Sequence, residues 1–415
     1  MKFKLIIFLI IFGITLGTSV LFLFPYTPTQ PPKADETGWT EEGVKRIVEA
    51  NNKFALEFYQ KINEKDKNVF YSPYSIFSAL AITYEGARGQ TAEEIKNIFY
   101  FPDDMKPNFA RIYNEINKGY KDYELRTGNA LWVQYDYPIL DEYKNITEKF
   151  YGAKASNLDF VKENEKSRQT INKFIEEQTG GKIKELIKKL DSKTRVVITN
   201  AIYFKGNWLF EFDKEKTRKQ NFWINENEKV EVDMMFLNPK SLKEVPKLNY
   251  ADLGSIKILE LPYKGEDISM LIILPDKLED IEPITVEKLK EWKSQMKEEV
   301  LDGIYIPKFE LTKRYELKEV LSDMGMKCAF SDCADFSGID GIGNLFITSV
   351  IHQAYVKVDE KGTEATAATA VIIAESAMVE PKIFKADHPF VFIIQKRDTG
   401  QILFLGKIIN PNLKD

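Results

Sequence analysis

Hydrophobic and polar positions change their spacing several times along the chain, and each change predicts an element. Leu5 to Phe24 is an uncharged, mostly apolar run, preceded by the short basic lead Met1 to Lys4. Its length suits a bilayer span, and the preceding positive charge predicts that the N-terminus stays inside while the rest is exported. Apolar residues continue past the small-residue site Thr15-Leu16-Gly17, so an uncleaved anchor is preferred to a cleaved signal peptide. Pro25 to Glu36 holds four prolines among polar residues and predicts an extended tether over residues 25–39. After Thr40, an N-cap residue, the period becomes helical: Val44, Ile47, Val48, Phe54, Ala55 and Phe58 share one face. That pattern breaks near Pro73. Ser72-Pro73 predicts a new helix running toward Gly86, with serine as cap and proline in the first turn. Thr91-x-x-Glu94 has the form of a capping box and predicts a third helix start.

Near the C-terminus two stretches are strongly strand-prone, Ala354 to Val358 and Phe390 to Ile394. Between them lies Glu360-Lys-Gly-Thr-Glu-Ala-Thr-Ala-Ala-Thr-Ala370. Read with period two, one face is Thr363, Ala365, Ala367, Thr369 and Val371; the other is Glu364, Thr366, Ala368, Ala370 and Ile372. Such small side chains can lie between two existing strands without steric conflict. Alanine also favours helix, so composition alone leaves a linker or a short helix open.

The flanking blocks decide between these readings. Phe384-Lys-Ala-Asp-His-Pro-Phe390 comes next, and the chain closes with Leu403-Phe-Leu-Gly406 and Asn410-Pro411. Together with the Glu-Lys-Gly-Thr-Glu-Ala stretch, these blocks in this order resemble the serpins, serine protease inhibitors, and the chain is identified as an inhibitory, prokaryotic-type member. Earlier blocks agree: Asn68 to Ile76, Gly86 to Thr91, Ile171-Asn172, Thr179 to Ile183, Asn200 to Trp208 and Leu261 to Gly265. Phe174 stands where the family usually has tryptophan. The resemblance covers the chain from about Thr40 to the end, so residues 40–415 form one domain after the anchor at 1–24 and the tether at 25–39.

The resemblance implies an α+β serpin fold of about three sheets surrounded by helices, with an exposed reactive loop near the C-terminus. It implies an irreversible suicide inhibitor, in which the cleaved loop inserts into the central sheet and traps the acyl-enzyme. Glu360, Gly362, Thr363, Ala365 and Ala367 would form the hinge. Glycine tolerates the dihedral change, and an uncharged Thr363 can enter without burying a charge. Ser72, Ser75, Asn200 and His352 would be the polar cluster where the sheet opens. Trp208 would stand at the loop's entry, beside a Glu360–Lys308 ion pair. The family's spacing counted from Glu360 puts the cut bond at Ser376–Ala377; counted back from Pro389 it falls at Met378–Val379. Neither offers a basic residue, so the expected partner is an elastase-, subtilisin- or chymotrypsin-like protease accepting small or apolar residues.

Backbone hydrogen bonds contribute about 1 kcal/mol each, and ordering a residue costs about 1–2 kcal/mol. A new strand therefore gains little by itself, and the drive to insert must come from a sheet under-packed before the loop enters.

Composition narrows the alternatives. The chain has 415 residues, 44% hydrophobic and 29% charged, enough for a substantial core. A net charge of −5 argues against a nucleic-acid partner. The two histidines, His352 and His388, form no metalloprotease motif, and no nucleophile elbow or phosphate loop occurs. Neither an enzyme activity, nor a metal, nor a cofactor is expected. Cys328 and Cys333 are read as a small disulfide loop or two free thiols. The expected species is a monomer, extracellular or at the cell surface, touching membrane only through residues 5–24. Competing readings are a non-inhibitory serpin acting as a binding or surface-tethered protein, and a hydrolase, which would need one of two histidines as base.

Overall fold

The computed structural model describes residues 33–118, 123–363 and 381–414. The Leu5–Phe24 run lies outside them; among the described residues no helix is long and apolar enough to cross a membrane. In chain order the elements are α1 (Glu41–Ile62), β1 (Val69–Tyr71), α2 (Pro73–Gly86), α3 (Gly89–Phe99), α4 (Met105–Ile116), β2 (Tyr123–Gln134), α5 (Asp141–Tyr151), β3 (Lys154–Leu158), α6 (Asn164–Gln178) and β4 (Val196–Asn207). There follow β5 (Arg218–Asn225), β6 (Glu228–Leu237), β7 (Leu248–Asp252), β8 (Ile256–Pro262), β9 (Ile268–Pro275), α7 (Val286–Ser294), β10 (Lys297–Glu299), β11 (Gly303–Pro307), β12 (Phe309–Glu316) and α8 (Lys318–Met324). The last are α9 (Ser337–Asp340), β13 (Ile347–Val358), β14 (Gly362–Thr363), β15 (Ile383–Lys385), β16 (Phe390–Lys396) and β17 (Ile402–Ile408).

The strands form three sheets, of order β1-β17-β16-β9-β8-β7-β10, β15-β11-β6-β5 and β12-β13-β4-β2-β3, with β14 paired to β4. The strand-prone stretch at Phe390–Ile394 is the fully buried β16, flanked by β9 and β17. On β4 the even positions Val196, Ile198, Ile202 and Phe204 enter the main core, while Val197 and Ala201 enter a smaller core closed by α6. Phe174, in the place where the family usually has tryptophan, packs edge-on to Trp132 of β2, with ring centroids 5.4 Å apart. An aromatic therefore still fills that contact.

Local signals behaved unequally. Thr40 caps α1, its hydroxyl accepting from the Gly43 N–H at 3.0 Å, and the predicted apolar face is the buried one. Ser72 caps α2 in the same way. The Thr91/Glu94 capping box is a misreading. Helix α3 begins at Gly89 without a side-chain cap. Thr91 instead accepts from the Asp335 N–H at 2.9 Å, and Glu94 accepts from the N–H groups of Lys327 and Cys328 at 2.8 and 2.7 Å. Both residues hold a distant loop rather than their own helix. That loop contains Cys328 and Cys333, which are paired with Cα atoms 5.2 Å apart.

The tether boundary also needs correction. Residues 33–39 are packed on the body: Ala34 is buried, its N–H donates to Asn114 and its carbonyl accepts from the same side chain at 2.8 and 2.9 Å. The Asp35 N–H donates to the Lys149 carbonyl at 2.7 Å, and the Arg111 guanidinium sits 4.6 Å over the Trp39 ring. The four prolines of the tether lie outside the described residues; the partners that dock residues 33–39 lie on α4 and α5.

Candidate functional site

Strands β13 and β4 run parallel and pair from Ile347 beside Val196 to Tyr355 beside Tyr203. Both continue, β13 to Val358 and β4 to Asn207, but the ladder between them stops. At that end β14 pairs antiparallel with β4, Gly362 beside Asn207 and Thr363 beside Gly206. The chain thus turns back at the end of β13 and starts down the side of β4 where β13 has left it.

Three contacts fix the turn. Asp359 and Gly362 exchange both backbone hydrogen bonds, at 2.8 and 3.1 Å. The Trp208 N–H donates to the Lys361 carbonyl at 2.6 Å, and the Phe212 N–H to the Glu360 carbonyl at 2.7 Å. The buried Trp208 indole lies flat on Tyr263, centroids 4.5 Å apart, and its Nε1–H donates to the Asp359 carbonyl at 3.0 Å. Gly362 has φ +148°, and a Cβ there would stand 2.0 Å from the Gly206 carbonyl oxygen. No other residue fits without moving the backbone.

Lys308 and Glu360 do form an ion pair, Nζ lying 2.9 and 3.1 Å from the two carboxylate oxygens. The Thr217 hydroxyl donates to the same carboxylate at 2.8 Å. Burial would raise the Glu360 pKa, but the Lys308 and Thr217 hydrogen bonds outweigh it and the net shift is downward. Burial raises that of neighbouring Asp359.

Lower in the sheet a polar row crosses four strands: Tyr315 on β12, His352 on β13, Asn200 on β4 and Asn129 on β2 are cross-strand neighbours. His352 Nδ1 and Asn200 Oδ1 are hydrogen-bonded. His352 Nε2 accepts from the Ser72 N–H at 3.1 Å, which assigns the ring proton to Nδ1. Complete burial lowers the His352 pKa to about 3, so the ring is neutral. Asn200 donates to the Ser75 carbonyl at 2.6 Å and to the Ser75 hydroxyl and Asn129 Oδ1, each at 2.5 Å. The Ser72 hydroxyl donates to the Leu403 carbonyl at 2.6 Å. The row therefore ties β13, β4 and β2 to the start of α2 and to β17.

The structure brings together Ser72, Ser75, Asn200 and His352, and separately Trp208, Lys308, Glu360 and Gly362. Ala365, Ala367 and both candidate bonds, Ser376–Ala377 and Met378–Val379, lie outside the described residues. Thr217, Tyr263 and Asn129 escaped the sequence reading. Asn129 does not stand out in its strand, because β2 also carries Glu124, Arg126, Thr127 and Gln134. His388 bridges Asp387 and the Pro275 carbonyl, at 3.0 Å each, and belongs to the β16 lead-in.

A family model described as "Serpin (serine protease inhibitor)" matches residues 49–411. The chain belongs to the serpin family. An uncharacterized serpin-like protein of Methanosarcina mazei is 42% identical over 385 residues, 89% of this chain and 88% of that protein. The leukocyte elastase inhibitor of Bos taurus is 38% identical over 89% of this chain and all of its own length. The solved structure of Serpin48, a highly specific serpin of the insect Tenebrio molitor, superposes with a TM-score of 0.76 at 33% identity, covering 90% of this chain and all of that one. The three sheets and their helices are the serpin fold.

Proposed function

We propose that this serpin is an irreversible, single-use inhibitor of a serine protease that accepts small or apolar residues. One observation carries the reading: Gly362 and Thr363 already stand as a short antiparallel strand against β4, at the head of the interval where β13 and β4 are no longer paired. In the proposed reaction the protease serine oxygen attacks the carbonyl carbon of Ser376. The bond to Ala377 nitrogen breaks, that nitrogen leaves protonated as a new N-terminus, and residue 376 stays as an ester on the protease. Met378–Val379 is the alternative bond.

Continuing the β14 register moves one residue back along β4 for each residue forward in the loop. Ala365 then comes beside Phe204, Ala367 beside Ile202, Thr369 beside Asn200, Val371 beside Ile198 and residue 373 beside Val196. Side chains directly opposite on antiparallel strands share a face. Thr363, Ala365, Ala367, Thr369 and Val371 would therefore enter the main core, and charged Glu364 would take the other face. Insertion must part β13 from β4 at the His352–Asn200 row, which acts as a latch, while the Glu360–Lys308 pair and Trp208 hold the hinge at the entrance. The process calls for no cofactor or metal and proceeds in a monomer, exported and held at the surface by residues 5–24 or released from it.

The test mixes residues 33–415 with pancreatic elastase, a subtilisin and trypsin, followed by denaturing gels and mass spectrometry of the released peptide. A denaturation-resistant band with elastase or subtilisin, and a peptide beginning at Ala377 or Val379, is the expected result. Clean cleavage without a complex by every protease refutes inhibition and leaves a binding role.

A further inference from the structure

Cys328 and Cys333 belong neither to the hinge nor to the latch, yet they are bonded to each other where the chain passes from α8 to β13. The segment that holds them is docked on α3 at two points. Near its start, the N–H groups of Lys327 and Cys328 both donate to Glu94. Near its end, the Asp335 N–H donates to the buried Thr91 hydroxyl, and the Asp335 carbonyl accepts from the Arg88 N–H at 2.9 Å. Thr91 and Glu94 stand three apart on a helix, which puts their Cβ atoms about 5–6 Å from each other. The bridge holds the Cα atoms of Cys328 and Cys333 5.2 Å apart. It therefore sets the loop to the span of the two acceptors that receive it.

The regular structure between α8 and α9 is a three-residue turn, Cys328–Phe330. Its Ser331 N–H returns to the Cys328 carbonyl at 3.0 Å, and the Ala334 N–H to the Ser331 carbonyl at 3.0 Å. Ala329, Phe330, Ala334 and Phe336 nevertheless reach the main core. A short irregular segment thus carries buried side chains and two docking points, and the covalent closure is what keeps them in step. The segment leads into β13, which edges the interval that β14 enters.

Access to the bridge is one-sided. Cys328 is 1% exposed, whereas Cys333 faces solvent. A dithiol therefore meets the Cys333 sulfur first. Its thiolate attacks that sulfur, the bridge breaks, and the Cys328 sulfur leaves and takes up a proton. The second thiolate of the reagent then displaces the Cys333 sulfur, which is protonated in turn, and the reagent closes its own disulfide. Two electrons and two protons have passed from the dithiol to the cysteine pair. We propose that the Cys328–Cys333 bridge is a redox-sensitive clasp: in oxidising surroundings it pins the approach to β13 onto α3, and a dithiol that opens it lets that segment detach while the sheets stay folded. The clasp stands or falls independently of the trapping reading.

The test is hydrogen exchange, read by mass spectrometry on the full chain before and after dithiothreitol, with alkylation counting the thiols of the folded protein. No thiol should react before dithiothreitol and two afterwards. Exchange across residues 327–336 and in α3 should then rise by roughly tenfold to a hundredfold, the range expected on freeing a loop closure of this length, while β16 keeps its protection. Two thiols reacting beforehand, none reacting after dithiothreitol, or reduction with unchanged exchange over 327–336 each overturns the clasp. Loss of protection in β16 as well would show a global effect and overturns it too. The Cys328→Ser/Cys333→Ser variant should exchange like the reduced chain and no longer respond to dithiothreitol; a persisting response places the effect elsewhere and overturns the proposal. Glu94→Ala guards against misfolding of that variant: with the bridge intact, exchange at Lys327 and Cys328 should still rise, and unchanged exchange there overturns the docking on α3.

Discussion

Thr363→Arg tests the lane most directly. In the β14 register, position 363 lies beside Gly206. The parallel β13–β4 register, extended from Tyr355 beside Tyr203, sets Val358 on the other side. In the proposed inserted strand a side chain at 363 would share the face of Phe204, and the space above Gly206 is bounded by the rings of Phe204 and Tyr263, 2.7 and 2.8 Å from where a Cβ would sit. Phe204, Trp208, Tyr263 and Val358 all belong to the apolar main core. A guanidinium entering it is therefore unpaired, and leaving a buried charge without its partner costs about 3 kcal/mol or more. At 1.36 kcal/mol per decade, insertion slows by roughly two orders of magnitude.

Insertion competes with hydrolysis of the ester, so the variant should turn from inhibitor into substrate. The assay is a titration of pancreatic elastase with each protein, reading moles of inhibitor consumed per mole of elastase silenced. Glu364→Lys is the control. In the proposed inserted strand position 364 would take the opposite face, between half-exposed Lys205 and Lys357. A third cation there costs about 0.2–1 kcal/mol, and the consumption ratio should rise only a fewfold. Full inhibition by Thr363→Arg, combined with failure of Glu364→Lys, would reverse the parity and refute the register.

Three more outcomes are expected of the site. Gly362→Ala should expel the hinge, because its Cβ meets backbone at Gly206; hydrogen exchange at the Trp208 N–H should accelerate, and unchanged protection would contradict the turn described. Glu360→Gln should lower the melting temperature at neutral pH by about 2–4 °C. Because the folded pKa of Glu360 lies below its ordinary 4.5, its contribution is present above pH 4.5 and fades as pH falls through the folded value, so the two melting curves should converge in acid. His352 gives the same sign from a different cause, burial of a neutral ring: the unfolded chain takes up a proton near pH 6.5 that the folded chain refuses until about 3, so stability should fall as pH drops through that window, by up to about 1.4 kcal/mol per unit. His352→Gln should flatten that slope by one proton, and an unchanged slope in urea titrations at pH 4–7 would refute the assignment.

What the sequence revealed was local or periodic. The α1 face and the serine and threonine caps each depend on spacing within a few residues, and pattern alone finds them. The His352 latch is of another kind. Its members sit at positions 72, 75, 200 and 352, and only the family resemblance joined them; Asn129, which completes the row, had no motif to mark it. Thr217 reaches Glu360 across 143 positions and is invisible to any window. The Thr91/Glu94 error has the same origin. A threonine and a glutamate three apart offer the same acceptors to their own helix or to a distant loop, and the segment from Lys327 to Asp335 took them. The cysteine pair likewise depends on a Cα separation that the intervening four residues do not dictate.

The two halves of the site oppose each other, and that opposition explains why the chain can wait. Beyond Tyr203 and Tyr355 the edges of β4 and β13 face an interval entered only by β14 among the described residues, so extending that strand would satisfy backbone groups on both sides. Below it, eight rungs of parallel pairing and the His352–Asn200 hydrogen bond must first be broken. Parallel pairing is slightly weaker per residue than antiparallel, so replacing one parallel ladder by two antiparallel ones is downhill once complete. The barrier lies at the start, where the buried amide and imidazole would lose their partners before the new strand reaches them. On the proposed insertion, Thr369 would be the residue that the register brings to Asn200, and its hydroxyl would replace the partner that the row loses as it opens.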